Sequence, residues 1–374
     1  VPTEFLDHLN CLQSTSAMHT RVNSNRSSAG CTGPRILIVR MSAIGDVIHG
    51  LPVLCALRKA MPAAFLAWVV EGGMGEVLDG HAALDELIRL PRRFWKSPRE
   101  VWRLRRRLRR LRFDVTLDLQ GLSKSAITAW LSGARRRIGK DGADGREVSR
   151  WFNNELIATG GNHVIEHYLT MLHPLGIESP EVRFDLPEFA ADANMVEGFL
   201  RERGLSGRRF AVLNPGAGWP SKIWPAVRYA ALARHLGQTH GVPAIAVWGT
   251  NSERPLAERI VEAGARHAHL APPTTMRQLA ALCRRATLFV GSDTGPMHLA
   301  VAVGTPTLSL HGPSRADWCG AYGPQNIRLQ ARYQQGSSLE RRRADDAAMR
   351  EITLKTVIAA CDQLLTQTVA RKCG

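Results

Sequence analysis

No two cysteines lie at a metal-binding spacing. Cys11, Cys31, Cys55, Cys283, Cys319, Cys361 and Cys373 are scattered and odd in number. A disulfide framework and a zinc module are therefore excluded, and a reduced, cytoplasmic chain is expected. No apolar run approaches the roughly 20 residues that span a bilayer. Residues 1–33 lack the apolar core of a signal peptide and are rich in Ser, Asn and Thr. They read as a poorly ordered extension or a misassigned start. No strand is followed by Gly-x-Gly-x-x-Gly, which argues against a dinucleotide site, and no Gly-rich loop ends in Gly-Lys-Ser/Thr, which argues against a Walker nucleotidase. Negative charge is scarce too: 33 acids face 49 Lys and Arg, a net charge of +16. Nucleic acid, anionic lipid and phosphorylated substrates all suit such a surface. The chain carries no recognisable nucleic-acid module, so nucleic acid is not expected as a partner.

Across 374 residues the apolar pattern alternates twice between strand and helix. Arg35–Arg40 (RILIVR), 65–70 (FLAWVV) and 115–119 (VTLDL) read as buried parallel strands, with helical patterns at 46–60, 124–131 and 163–175. Residues 177–190 are rich in Pro and acid and mark a boundary. A second set follows: strands at 209–213, 243–248, 288–290 and 306–310, and helices at 225–238, 253–263 and 274–285, the last capped by Thr274. The polar, Arg-rich stretch 331–350 reads as a mobile loop, and 352–369 as a terminal helix. This is α/β architecture with two doubly wound, Rossmann-like domains and a cleft at their strand ends. The expected units are 34–185, 186–350 and a terminal segment 351–374 that packs back on the N-terminal domain.

Five constellations could carry chemistry. In LFVGSDTGPMHLA (288–300) a strand runs into a helix start, where backbone N–H groups and the helix dipole favour phosphate. An ordinary N-cap explains the turn equally well. In MSAIGDVIHG (41–50), Asp46 is either a first-turn acid or a carboxylate at the cleft edge, able to take a hydroxyl proton. In NPGAGWPSKIWP (214–225), Lys222 is either a solvated loop lysine or a neutraliser of phosphate charge. In VWGTNSE (247–253), Glu253 is either favourable to the helix dipole or an acceptor for ribose hydroxyls. Lys124, in DLQGLSKSA, and Arg146, in RRRIGKDGADGRE, are candidates for an acidic acceptor. The run Arg92–Arg112 is separate. It reads as a basic amphipathic helix with Trp95 and Trp102 near one end: a membrane-surface helix, a nucleic-acid patch or an ordinary Arg-rich surface helix.

Taken together, 35–55, 65–73, 118–126, 222–225, 247–253 and 291–303 resemble, in order and spacing, the lipopolysaccharide heptosyltransferases of glycosyltransferase family 9. GDVIHGLP and SDTGPMHLAVAVGTPT are the most specific parts, and WVVEGG with DLQGLSKSA looks more like type I than type II enzymes. The resemblance implies a GT-B fold and inverting transfer of a heptose from ADP-L-glycero-D-manno-heptose to a Kdo sugar on lipid A. It implies Asp46 as general base and Lys222 as the residue that stabilises the diphosphate. Thr294 and Gly295 would offer backbone donors to that diphosphate, and Asp293, with His298 close by, would contact the sugar. Glu253 would bind the ribose, and Arg146 and Lys124 the acceptor. It implies no metal or other cofactor, and peripheral attachment to the inner face of the cytoplasmic membrane.

Overall fold

A computed structural model describes residues 33–141 and 147–373. The expected N-terminal extension lies outside them. The first sheet contains β1 (Arg35–Val39), β2 (Phe65–Glu71), β3 (Glu86–Leu90), β4 (Val115–Asp118), β5 (Arg136–Lys140) and β6 (Glu155–Ile157) in the order β3-β2-β1-β4-β5-β6. The second contains β7 (Ala211–Asn214), β8 (Ala244–Ala246), β9 (Ala268–Leu270), β10 (Leu288–Ser292), β11 (Thr307–His311) and β12 (Ile327–Gln330) in the order β12-β11-β10-β7-β8-β9. Every pairing is parallel. Both sheets follow the Rossmann order, so the order reverses between β1 and β4 in one and between β7 and β10 in the other. Ligands bind at such switch points.

The helices that matter here are α1 (Ile44–Ala60), α2 (Pro98–Leu111), α3 (Ser123–Ser132), α4 (Glu147–Phe152), α5 (Val164–Thr170), α6 (Ala190–Glu202), α7 (Ala226–His240), α8 (Arg254–Gly264), α9 (Met276–Arg285) and α10 (Gly295–Ala302). The central strands form because their runs are buried on both faces: Ile36–Val39 and Leu66–Val70 are fully buried. The two halves meet where α1 packs on α10, and one apolar cluster runs through both, from Val47 and Ile48 to Leu299 and Ala300. Small residues allow the close approach. A Cβ on Gly295 would lie 2.3 Å from Ile44 Cγ2, and one on Gly45 would lie 2.6 Å from the His298 ring.

Several expectations are corrected. The terminal helix, Leu354–Cys373, packs on α7, β10, β11 and β12 of the second sheet, not back on the N-terminal domain. Val357, Cys361, Leu364 and Leu365 fill the apolar underside of that sheet. The chain leading to the helix is tied to the same half by the Trp224 indole, which donates to the Ile352 carbonyl at 2.8 Å. Residues 331–350 hold two short helices, Ser338–Arg343 and Ala347–Arg350, and Arg341 donates to the Pro313 carbonyl at 2.7 Å. Thr275, one residue beyond Thr274, caps α9 by accepting the Gln278 N–H. The pattern at 163–175 splits into α5 and a 3-10 turn, His173–Leu175. In the basic run, Pro98 opens α2 after the Ser97 cap. Its apolar face, Leu104 and Leu108, is buried in the domain core rather than offered to a surface, and Trp95 and Trp102 remain exposed.

Candidate active site

Both switch points carry the singled-out motifs. The chain leaves β1 at Met41, whose N–H donates to Gln120 Oε1, just past β4, at 2.9 Å. It then enters α1. Asp46 lies in the first turn and its Oδ2 accepts the Ala43 N–H at 3.0 Å. The first-turn role is thus real, but the side chain is still 37% exposed and pairs with Arg40. Burial works against the Arg40 charge, yet Tyr168 and Asp46 outweigh it and raise its pKa.

On the opposite switch point, β10 delivers Asp293 and α10. Thr294 occupies the N-cap with an extended backbone but makes no side-chain cap bond. Its hydroxyl instead donates to the Ser292 carbonyl and accepts from Asn214 Nδ2, both at 3.2 Å. The helix start is therefore not closed by its own side chain, the condition for an anion to take that place. Asp293 is buried between two partners. Lys222 Nζ donates to its Oδ2 at 2.6 Å and to its backbone carbonyl at 2.9 Å, and His298 Nε2 contacts its Oδ1 at 3.0 Å. Burial pushes the Asp293 pKa up, but the Lys222 charge and the His298 hydrogen bond prevail and hold it well below the usual carboxylate range.

From Asp293 the polar chain crosses between the halves. His298 Nδ1 meets His49 Nε2 at 3.0 Å, and the His49 ring lies edge-on to His163 at 5.6 Å between centroids. His163 in turn contacts the Gly320 carbonyl at 2.9 Å. His49 stands three residues after Asp46, on the same face of α1. The helix that carries the base candidate and the Asp293–Lys222 pair on the other half are therefore joined through His49 and His298. Desolvation is the largest cause in each of three histidines: it lowers His49 well below the ordinary value and brings His163 and His311 to about 4. They are neutral at pH 7.

Asn214, residues 216–218, 247–250 and 294–296, with Glu253, Thr274, Met276 and Leu279, line a cavity of about 240 Å³. Glu253 Oε2 accepts the N–H groups of Gly249 and Thr250 at 2.9 and 3.1 Å, so the acid folds back on its own turn while lining that cavity. Gly216 is needed there, because a Cβ would come within 2.6 Å of the Glu253 carboxyl carbon. Lys124 is not a solitary cation. Glu71, at the end of β2, pairs with it at 2.7 Å, and its Nζ lies 5.2 Å from the centre of the Trp95 ring. Arg146 lies outside the described residues. Asp293, His311 and Cys319 bring three potential metal-ligand atoms within 4.8 Å of one another, with Lys222 already on Asp293.

Sequence reasoning singled out Asp46, Lys222, Asp293 and His298 but gave no role to Arg40, His49, His163 or His311. The signal for His49 was its three-residue spacing from Asp46. For His311 it was a polar residue ending an apolar strand. His163 left no signal.

The family model described as glycosyltransferase family 9 (heptosyltransferase) matches residues 101–348. The chain belongs to glycosyltransferase family 9. It is a glycosyltransferase. Over 304 residues it is 31% identical to lipopolysaccharide heptosyltransferase 1 of Pseudomonas aeruginosa, covering 79% of this chain and 83% of that protein. A heptosyltransferase of Escherichia coli, solved with ADP-2-deoxy-2-fluoro heptose, superposes with a TM-score of 0.69 at 25% identity, covering 88% of this chain and 99% of that one. A family 9 glycosyltransferase of Veillonella parvula shares the fold at a TM-score of 0.76 and 22% identity, covering 89% and 97%. The family 9 assignment matches the expected GT-B arrangement of two Rossmann-like sheets around a cleft.

Proposed function

We propose that this chain is a lipopolysaccharide heptosyltransferase of type I, moving L-glycero-D-manno-heptose from ADP-heptose to a Kdo sugar of the lipid A-linked inner core with inversion. The observation that carries the reading is the meeting of the two switch points: α1, which carries Asp46, on one half, and Lys222 and Asp293 on the other, joined by His49 and His298. Relatives named lipopolysaccharide heptosyltransferase 1 support heptose transfer in lipopolysaccharide synthesis, and the Escherichia coli structure with ADP-2-deoxy-2-fluoro heptose supports the choice of donor. The nucleotide occupies the cavity lined by Glu253, whose carboxylate receives the ribose hydroxyls. The diphosphate lies at the start of α10, against the N–H of Gly295 and the Thr294 backbone. Lys222 exchanges Asp293 for the diphosphate and balances its charge as the anomeric C–O bond breaks. Asp293, with His298 fixing its orientation, is then open to the sugar hydroxyls. Asp46 takes the proton of the acceptor hydroxyl as that oxygen attacks the anomeric carbon. Lys124 and Arg146 serve the acceptor side. A lysine and a helix N-terminus do the work a cation would do, so the reaction needs no metal.

The acceptor is tied to lipid, and we place the enzyme peripherally on the inner face of the cytoplasmic membrane. Among the described residues no helix is long and apolar enough to cross a membrane. Support comes from the outer helices of the first half, where α3 packs on both α2 and α4. Trp95, Trp102, Trp130 and Trp151 are exposed there, Trp151 by 83%. Trp102 stands among the exposed arginines of α2, with the Arg106 guanidinium 5.3 Å from its ring centre, and amphipathic rings with Arg suit the headgroup level of an anionic bilayer.

The test is a donor screen of ADP- and UDP-sugars with Kdo-lipid A, read by mass spectrometry, alongside Asp46→Asn. Heptose transfer from ADP-heptose is expected, and the variant should lose about 10²–10⁴-fold in rate while ADP still binds. Transfer at a normal rate by D46N removes the base assignment. Transfer of a different sugar removes the donor.

A further inference from the structure

A second polar cluster lies away from the cleft, on the helical layer that covers the second sheet. His235 and His240 are on α7, and Asp362 is on the terminal helix packed against it. His235 Nε2 and His240 Nε2 both meet the same carboxylate oxygen, Asp362 Oδ1, at 2.8 and 2.7 Å. The three donor atoms lie within 4.8 Å of one another. No step of the transfer uses them. Their side chains are 23%, 25% and 38% exposed, so an ion can enter and keep water on its outer side.

We propose that His235, His240 and Asp362 form a binding site for a divalent transition cation of the zinc type, which clasps the terminal helix to α7. The donor set is two imidazoles and one carboxylate, borderline ligands that suit zinc and leave a position for water. Ligands about 2.1 Å from a tetrahedral ion stand about 3.4 Å apart. The present contacts are shorter, so each side chain has to part by only about 0.6 Å, which partly exposed side chains allow. The proton balance is also met. Neutral imidazole binds through Nε2 once its ring proton sits on Nδ1, and at His235 the Thr239 hydroxyl lies 3.4 Å from Nδ1 and can accept that proton. Without an ion, the same three groups form a hydrogen-bonded clasp in which one oxygen takes both N–H groups. With it, three ligand bonds replace those two hydrogen bonds. The cluster of Asp293, His311 and Cys319 is a poorer choice, because Lys222 places a positive charge on the same carboxylate.

The experiment titrates zinc into the full-length chain without a histidine tag, by calorimetry and by thermal unfolding. One saturable site and a raised unfolding temperature are expected. His240→Gln and Asp362→Asn should weaken binding by about tenfold or more. Cys319→Ser should leave it unchanged. A zinc-soaked crystal of the unaltered protein should show an anomalous peak within bonding distance of His235 Nε2 and His240 Nε2, a readout that holds even where a variant folds badly. Absence of saturable binding, binding unaffected by H240Q and D362N, or binding lost only with C319S each overturns the proposal.

Discussion

Replacing Lys222 by Met should unfold the second half far more readily than removing both Lys222 and Asp293 together. The pair is 15% and 10% exposed, and its Nζ makes two contacts with the same residue, the Oδ2 and the backbone carbonyl. K222M leaves a buried carboxylate without its lysine, its other oxygen still against His298. Breaking a buried pair from one side costs about 3–5 kcal/mol, because the remaining charge stays desolvated. For a unit of 150–250 residues, about 3 kcal/mol corresponds to a fall of roughly 6–12 °C in Tm. K222M/D293N removes both charges, leaves a neutral amide beside His298, and should recover much of that loss. Thermal unfolding of wild type, the two single variants and the double variant closes the cycle. A coupling below about 0.5 kcal/mol would show that water screens the pair and that the buried-charge reasoning is wrong. The same four proteins separate stability from transfer: the double variant should remain folded yet lose heptose transfer, because both the diphosphate and the sugar lose their partner.

Stability should fall as the pH is lowered from about 6.5 towards 4. His163 and His311 have folded pKa values of about 4, below the unfolded value, so the unfolded chain takes up protons in this window and the native state does not. Each contributes a loss of up to roughly 3 kcal/mol by pH 4; urea midpoints that stay constant between pH 7.5 and 5 would refute it. Gly295→Ala puts a methyl carbon 2.3 Å from Ile44 Cγ2, so it should force the halves apart at a cost of about 1–3 kcal/mol, and Ile44→Ala should relieve it. Equal stability of G295A and wild type contradicts the close approach. Trp102→Ala with Trp151→Ala should reduce sedimentation with anionic vesicles while leaving transfer to a detergent-dispersed acceptor intact; undiminished vesicle binding removes those rings from the membrane face.

What was legible beforehand follows from the length scale of each interaction. The buried strands β1, β2, β4 and β10 announced themselves as β-branched or aromatic runs, because both faces of a parallel strand are buried. The strands β3, β5, β6, β9 and β12, which are interrupted by polar residues or only three residues long, did not. Arg136–Lys140 holds one large apolar residue among basic ones, yet that residue, Ile138, is fully buried and pairs with Leu117. Asp46, Lys222 and Asp293 were visible because each follows a strand end, where sheet topology exposes ligand-binding loops. Their pairing was not, since nothing local in a chain relates Lys222 to a residue 71 positions later.

The sequence alone therefore determined two doubly wound halves, the loops that carry the polar groups, and the family to which they belong. Those are properties of periodicity and short motifs, set within a strand–loop–helix unit. Tertiary structure decided the rest. It turned Lys124 from a lone cation into the partner of Glu71, sent the terminal helix to the second sheet, and buried the apolar face of the Arg-rich helix. It also joined α1, the helix of Asp46, to Asp293 through His49 and His298, whose contact spans 249 residues. Such contacts depend on which apolar faces close on each other, and only packing in three dimensions settles that.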